Sequence, residues 1–262
     1  MIPQAAITHW RNVAPWPQDS QVEQDLILSR ALIEIFQDPV LAPALLLRGG
    51  TALHKLFVAS PQRYSEDIDL VQVSAGPIGP VLNAIRSRLD PILGVPRRKS
   101  GPDNTMLRYR MESEIAPVVP LRLKIEINTR EHFTVFGAAS HPFVIRSPWF
   151  EGRAEVRSYA LDELLATKLR ALYQRRKGRD LFDLWRGLKM KGSDPRRIVE
   201  TFRKYMKAEG SKVSRSEFEK NLTAKVALRQ FNDDLSPLLA AAVRYDAGAA
   251  ARLVMERLIA NL

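Results

Sequence analysis

Two aspartates one residue apart, Asp67 and Asp69 in the run RYSEDIDLV, are the first residues here whose spacing suits chemistry. In an extended chain, side chains two apart share a face, so Ile68 and Leu70 bury one side and leave both carboxylates on the other. Like charges held that close repel, and one carboxyl pKa rises unless a cation lies between them. The pair is either a solvated edge or a divalent-cation site; nothing basic in its immediate sequence compensates it. Paired hard oxygens suit Mg2+, which binds through one or two carboxylates plus substrate phosphates.

Three other stretches bear on the same chemistry. Gly49-Gly50-Thr51 follows a short apolar run and precedes a helical pattern. Such a turn is either an ordinary tight turn or a place where backbone N–H groups approach a phosphate. In LRLKIEINT, Leu121, Leu123, Ile125 and Ile127 form one face and Arg122, Lys124, Glu126 and Asn128 the other. That polar face is solvated by default; beside the aspartate strand, Glu126 becomes a third carboxylate, completing a metal cluster and accepting a proton from an attacking hydroxyl. In LLATKLRALYQRRKGRDLFDLWRGL, Ala166, Leu169, Leu172 and Tyr173 make a buried helical stripe and Gly178 breaks the helix. Lys168 is a surface lysine or a point-charge phosphate binder. Asp180 and Asp183, three apart, share a face of the next helix; they either pair with and orient Lys168 or Arg179, or one of them touches the nucleotide or acceptor.

The surrounding elements must position these groups. SQVEQDLILSRALIEIFQD reads as a helix with a Ser20–Glu23 capping box, ended by Asp38-Pro39. LLLR and RYSEDIDLVQV read as strands, and IGPVLNAIRSRLDPIL as a helix stopping before Pro91. NTMLRYRME and LRLKIEINT alternate as strands, with short strands expected at 143–146 and 154–157 around SPWFEGR. From Leu161 onward the pattern is helical. The expected fold is α+β: a mixed sheet flanked by helices, followed by an all-α C-terminal domain. The boundary falls near 146–160, giving a sheet domain over 1–150 and a basic helical domain over 151–262.

Composition narrows the partners. The net charge of +11 is concentrated: residues 153–229 hold 21 Lys and Arg against 10 Asp and Glu, while the rest of the chain is neutral. A localised basic surface is either a solvated helical face or a polyanion site, nucleic acid being the commonest such ligand. The absence of cysteine excludes disulfides and thiolate metal sites. No apolar run approaches the ~18–20 residues of a membrane span, and no signal-peptide pattern opens the chain. A cytoplasmic, monomeric protein is expected.

Together the motifs LRGGTALHKLF…RYSEDIDLV, KIEINTRE and LLATKLRALYQRRKGRDLFDLWRGL resemble the AbiEii/AbiGii toxins, over roughly residues 45–190. These are nucleotidyltransferase-like toxins of bacterial type IV toxin–antitoxin and phage-defence loci, within the DNA polymerase β-type nucleotidyltransferase superfamily. The resemblance implies transfer of NMP from an NTP to an RNA acceptor, expected to be a tRNA 3′ end, inhibiting translation, with a cognate antitoxin. It implies Mg2+ or Mn2+ on Asp67, Asp69 and Glu126, phosphates at Gly49, Gly50, Thr51 and Ser65, and Lys168 near the α-phosphate. Lys168 and one of Asp180 and Asp183 match positions regarded as functional, and Arg63 falls at the edge of the loop before the aspartates. Glu126 stands where many relatives carry aspartate, and the 15 residues between Thr51 and Asp67 make a slightly long gap. The alternatives are a small-molecule or protein nucleotidyltransferase, or a non-catalytic RNA- or antitoxin-binding module.

Overall fold

The computed structural model describes residues 2–262. Helices α1 (Gln4–Trp10), α2 (Asp19–Gln37) and α3 (Leu41–Ala44) lead into strand β1 (Leu45–Arg48). The chain then enters α4 (Gly49–Ala52), which continues as a π-helical turn over Leu53–Phe57, and returns as β2 (Asp67–Gln72). Helix α5 (Gly79–Leu93) precedes β3 (Arg97–Ser100), β4 (Asn104–Glu112), β5 (Pro120–Asn128), β6 (Ala138–Arg146) and β7 (Glu151–Tyr159). From Leu161 on the elements are helical: α6 (Leu161–Gln174), α7 (Gly178–Gly187), α8 (Pro195–Ala208), α9 (Arg215–Val226), α10 (Arg229–Asp233) and α11 (Ala247–Arg257).

All seven strands join one mixed sheet in the order β3-β4-β5-β2-β1-β7-β6. β2 runs antiparallel to β1 and parallel to β5, whereas β3/β4, β4/β5 and β6/β7 are antiparallel. One face is apolar: Ile68, Leu70, Leu107, Tyr109, Leu121, Leu123, Ile125 and Ile127 are all buried. Helices α2 and α5 pack over the sheet, α2 against β2, β5 and β7 and α5 against β4. At β3, β4 and β5 the opposite face stays open to solvent. This asymmetry follows from strict alternation along β4 and β5.

Two compact units result. The first reaches Thr134 and resumes over Ala138–Tyr159; the second comprises Val135–Gly137 and Ala160–Leu262. Strand β7, which the sequence reading assigned to the second part, belongs to the sheet. It lies parallel beside β1 at Leu47 and Ser158, and Ser158 Oγ donates to the Leu47 carbonyl at 2.7 Å. The expected strands at 143–146 and 154–157 are parts of β6 and β7, nine residues each. No helix among the described residues is long and apolar enough to cross a membrane.

Three local expectations fail. Helix α2 begins at Asp19, and its capping box uses Gln18 and Gln21 in place of Ser20 and Glu23. Glu23 is instead buried and accepts from the backbone N–H of Glu114 at 3.0 and 3.2 Å. Pro91 does not stop α5, which continues to Leu93. An interior proline costs about 3 kcal/mol, but Leu89 and Leu93 are both buried, each contributing about 1.5–3 kcal/mol. Gly178 does not simply break α6; it opens α7, where a Cβ would meet the Phe231 carbonyl oxygen at 2.1 Å.

Candidate active site

Strand β2 presents Asp67 and Asp69 on the open face, with Ile68 fully buried behind them. Cross-strand register sets Asp67 opposite Lys124 and Asp69 opposite Glu126 on β5. Lys124 Nζ lies 2.8 Å from Asp67 Oδ2 and 3.3 Å from Glu126 Oε2. The counter-charge missing from the local sequence is therefore supplied across the sheet. Burial, the largest cause, raises the Asp67 pKa, and Asp69 and Glu66 raise it further against the opposing pull of Lys124. For Lys124, burial favours the neutral amine, but Asp67, Asp69 and Glu126 outweigh it and the net shift is upward.

The glycine turn closes on these carboxylates. Gly49 adopts φ +78°, the left-handed region that favours glycine, and a Cβ there would meet Asp69 Oδ2 at 2.2 Å. Gly50 leaves similar room for Arg63, whose Nη2 would lie 2.3 Å from an added Cβ. Arg63, in the loop before β2, is 2 % exposed and donates through Nη1 to the Tyr64 carbonyl at 2.8 Å. Thr51, expected at the phosphates, is fully buried; its hydroxyl donates to the Asp67 carbonyl and lies 2.9 Å from Ser65 Oγ. It fastens the turn to β2, while Gly49 and Ser65 keep partial exposure.

Behind the turn, buried Asp25 of α2 anchors the N-terminal segment. It accepts from the indole N–H of Trp10 (2.9 Å) and of Trp16 (3.1 Å), and its Oδ1 lies 2.6 Å from Lys55 Nζ. Lys55 sits in the π-helical turn, so Asp25 ties α1 and α2 to the segment that carries the glycines.

Glu126 is held twice, by Lys124 and by Asn104 Nδ2 at 2.7 Å from Oε1. Among the described residues, no group of three or more His, Asp or Glu side chains is placed to hold a metal ion. The expected three-carboxylate cluster is thus not assembled: Lys124 and Asn104 engage the Glu126 carboxylate. Asp67 and Asp69 by themselves still fit a divalent cation. Their oxygens are hard donors of the kind Mg2+ uses in ones and twos together with substrate phosphates. The Asp69 carboxylate has no hydrogen bond or salt bridge among the described residues, and the four charged groups Asp67, Asp69, Glu126 and Lys124 sum to two negative charges.

The second unit holds the other expected site residues apart from solvent. Lys168 Nζ contacts Asp183 Oδ2 at 2.8 Å and Asp180 Oδ1 at 3.3 Å, with both aspartates fully buried. Arg175 completes the cluster with two bonds to Asp180, at 2.6 and 2.8 Å. Burial raises the Asp180 pKa, but Lys168 and Arg175 override it and hold the carboxyl below its usual value. Lys168 is therefore no surface lysine, and both aspartates orient it.

The AbiEii family model, described as "Nucleotidyl transferase AbiEii toxin, Type IV TA system", matches residues 30–251. The chain belongs to the AbiEii family. This AbiEii nucleotidyltransferase toxin of a type IV toxin–antitoxin system is similar in fold to MenT4, a nucleotidyltransferase toxin from Mycobacterium tuberculosis H37Rv. That likeness has a TM-score of 0.69 at 16 % identity and covers 98 % of this chain and 90 % of that one. A second likeness is to JHP933 from Helicobacter pylori, with TM-score 0.50, 17 % identity, and 93 % and 95 % of the two chains covered. No match was found among curated protein sequences.

The sequence pointed to Asp67, Asp69, Glu126 and the Gly49-Gly50 turn, and these meet on the open face. It missed Lys124, Asn104 and Arg63. Alternation in LRLKIEINT does put Lys124 on the Glu126 face, so the absent signal was the pairing of β5 with β2.

Proposed function

We propose that this AbiEii toxin transfers a nucleoside monophosphate from an NTP to the terminal hydroxyl of an RNA acceptor, a tRNA 3′ end fitting best. The observation that carries the reading is the pair Asp67 and Asp69 on the open sheet face, with the Gly49 backbone against Asp69. The two aspartates would hold a divalent cation, Mg2+ or Mn2+. Such a cation, when bound, supplies charge neutralisation to the triphosphate and to the oxygens entering and leaving phosphorus. The Gly49-Gly50 backbone admits the phosphates closely, and Ser65 offers a hydroxyl beside them. Glu126, oriented by Asn104, takes the proton from the acceptor hydroxyl as its oxygen bonds to the α-phosphorus and the bond to pyrophosphate breaks. We assign Lys168, Asp180 and Asp183 to holding α6 and α7 in place.

An RNA acceptor is supported by charge. Helix α8 buries Ile198, Val199, Phe202, Tyr205 and Met206 and exposes Arg196, Arg197, Arg203, Lys204 and Lys207. A helix with one apolar side and one strongly basic side presents its cations to polyanions. Blocking the reactive end of tRNA would halt translation, an effect suited to a toxin restrained by an antitoxin and to defence against phage.

The test incubates purified protein with total tRNA, Mg2+ and each NTP in turn, radiolabelled at the α-phosphate. Label is expected in the tRNA band with the wild type and lost in the Asp67→Ala/Asp69→Ala variant. No label in any nucleic acid or protein band, with undiminished toxicity of the double variant in cells, would sink the catalytic reading.

A further inference from the structure

Side chains on the open face of the first unit form rows across the strands, and the charges in those rows are one-sided. Register sets Asp67 opposite Lys124, Lys124 opposite Arg108 on β4, and Arg108 opposite Arg97 on β3. The row to one side pairs Arg122 with Arg110; the row to the other runs from Asp69 through Glu126 and Met106 to Lys99. Leu107, Tyr109, Leu121, Leu123 and Ile125 alternate with these residues and are buried, so the cations stand on the solvent side.

Like charges directly opposite one another destabilise a sheet. Three such pairs occur here: Arg97 with Arg108, Arg108 with Lys124, and Arg110 with Arg122. Lys124 is answered by Asp67 and Glu126. The other five, Arg97, Lys99, Arg108, Arg110 and Arg122, make no salt bridge among the described residues, and Arg108 reaches only Met106 Sδ at 3.5 Å. Protection of a sheet edge accounts for charges on β3, but not for Arg108, which has β3 on one side and β5 on the other. Repulsion retained without an internal partner calls for an external anion.

The geometry points to this face as the track for the acceptor: the phosphodiester backbone of a single-stranded nucleic acid lies across β4 and β3, with its reacting end at Asp67 and Asp69. The assignment rests on the reading of those aspartates as the transfer site. Four of the five free cations are arginines, whose planar forks match phosphate in two-point contacts. From Asp67 to Arg97 the row crosses three inter-strand gaps of about 4.8 Å each, a reach suited to a polymer and not to one phosphate. The row also starts at a carboxylate strand, where a polymer's terminus and not its middle would react.

The test measures binding of a short fluorescein-labelled single-stranded RNA by anisotropy across a salt series. Arg97→Gln/Lys99→Gln/Arg110→Gln changes three exposed side chains, none of them placed in the catalytic machinery. Arg86→Gln/Arg88→Gln/Arg98→Gln removes the same charge from the helix-covered side. The face variant is expected to bind at least about tenfold more weakly, with the log–log salt slope reduced by about 2, at ~0.7 per lost contact. The control variant should keep wild-type affinity within about twofold and much of its slope. Thermal melts of both variants identify any loss through unfolding; if the triple variant unfolds, Arg110→Gln alone replaces it, with about one third of the effect. Equal affinity and slope in the face variant and the wild type overturns the track and leaves the face to another partner, such as an acidic protein. Absence of RNA binding by the wild type overturns the acceptor class itself, a result distinct from a failure of the track.

Discussion

Removing Lys168 tests most directly whether the buried cluster of the second unit is an anchor. Lys168→Met keeps most of the side chain's length but removes the cation 2.8 Å from the fully buried Asp183. Asp180 retains its two bonds from Arg175, so the lost ion-pair contact falls mainly on Asp183. Stripping one partner from a buried ion pair costs about 3–5 kcal/mol, which for a chain of this size lowers Tm by on the order of 10 °C. Asp183→Leu should cost less, about 1–3 kcal/mol, because Lys168 still has Asp180 at 3.3 Å. The double variant Lys168→Met/Asp183→Leu removes both charges and leaves the Arg175–Asp180 pair neutral. It should therefore be more stable than Lys168→Met alone by about 2 kcal/mol or more, a coupling within the range for residues in contact. Urea unfolding followed by circular dichroism gives all three values. A Lys168→Met cost below about 1 kcal/mol, the median for an exposed pair, or strict additivity in the double variant, would refute the anchor.

Further outcomes follow from the first unit and from one buried lysine. Gly49→Ala forces a left-handed φ on a residue with a Cβ and drives that atom into Asp69; strain of about 1–3 kcal/mol should appear in thermal melts. The displaced carboxylate should lower kcat by about a hundredfold, and wild-type turnover would count against the site. Lys124→Met removes the cation 2.8 Å from Asp67 and should tighten Mn2+ binding by about tenfold or more in calorimetry; unchanged or weaker binding contradicts its role as resident counter-charge. Lys225 donates to the Leu172 and Tyr173 carbonyls, and burial, with the charge of Arg176, pushes its pKa down to about 8. Between about pH 8 and the ordinary lysine value near 10.5, the unfolded chain then binds more protons, so stability gains a rising contribution over that window. Urea titrations at successive pH values should find that contribution in the wild type and not in Lys225→Met; parallel profiles would refute it.

Much of the architecture is legible in local pattern. Period-two alternation marks β4 and β5, and 3.6-residue spacing marks α2 and α6, because each element carries its buried face in its own residues. The same alternation put Asp67 and Asp69 on one face, and the glycines at 49 and 50 marked the turn that approaches them. Local chemistry gave less where a distant partner decides the outcome. Glu23 left its expected cap to receive the Glu114 N–H, Thr51 turned inward to β2, and Arg63 packed under Gly50.

By itself, then, the sequence determined which residues could act and which face each would occupy. It left the rest of the chain neutral and located the entire basic surplus in residues 153–229. Tertiary structure decided which of these faces meet. The register of β2, β5, β4 and β3 placed Lys124 between Asp67 and Glu126 and lined up cations that come from three separate segments. Packing of α6 on α7 buried Lys168 with Asp180 and Asp183. The reason is physical: alternation fixes a side chain's direction within its own strand, whereas the field it experiences depends on neighbours about 4.8 Å away across the sheet, which can be far away in sequence.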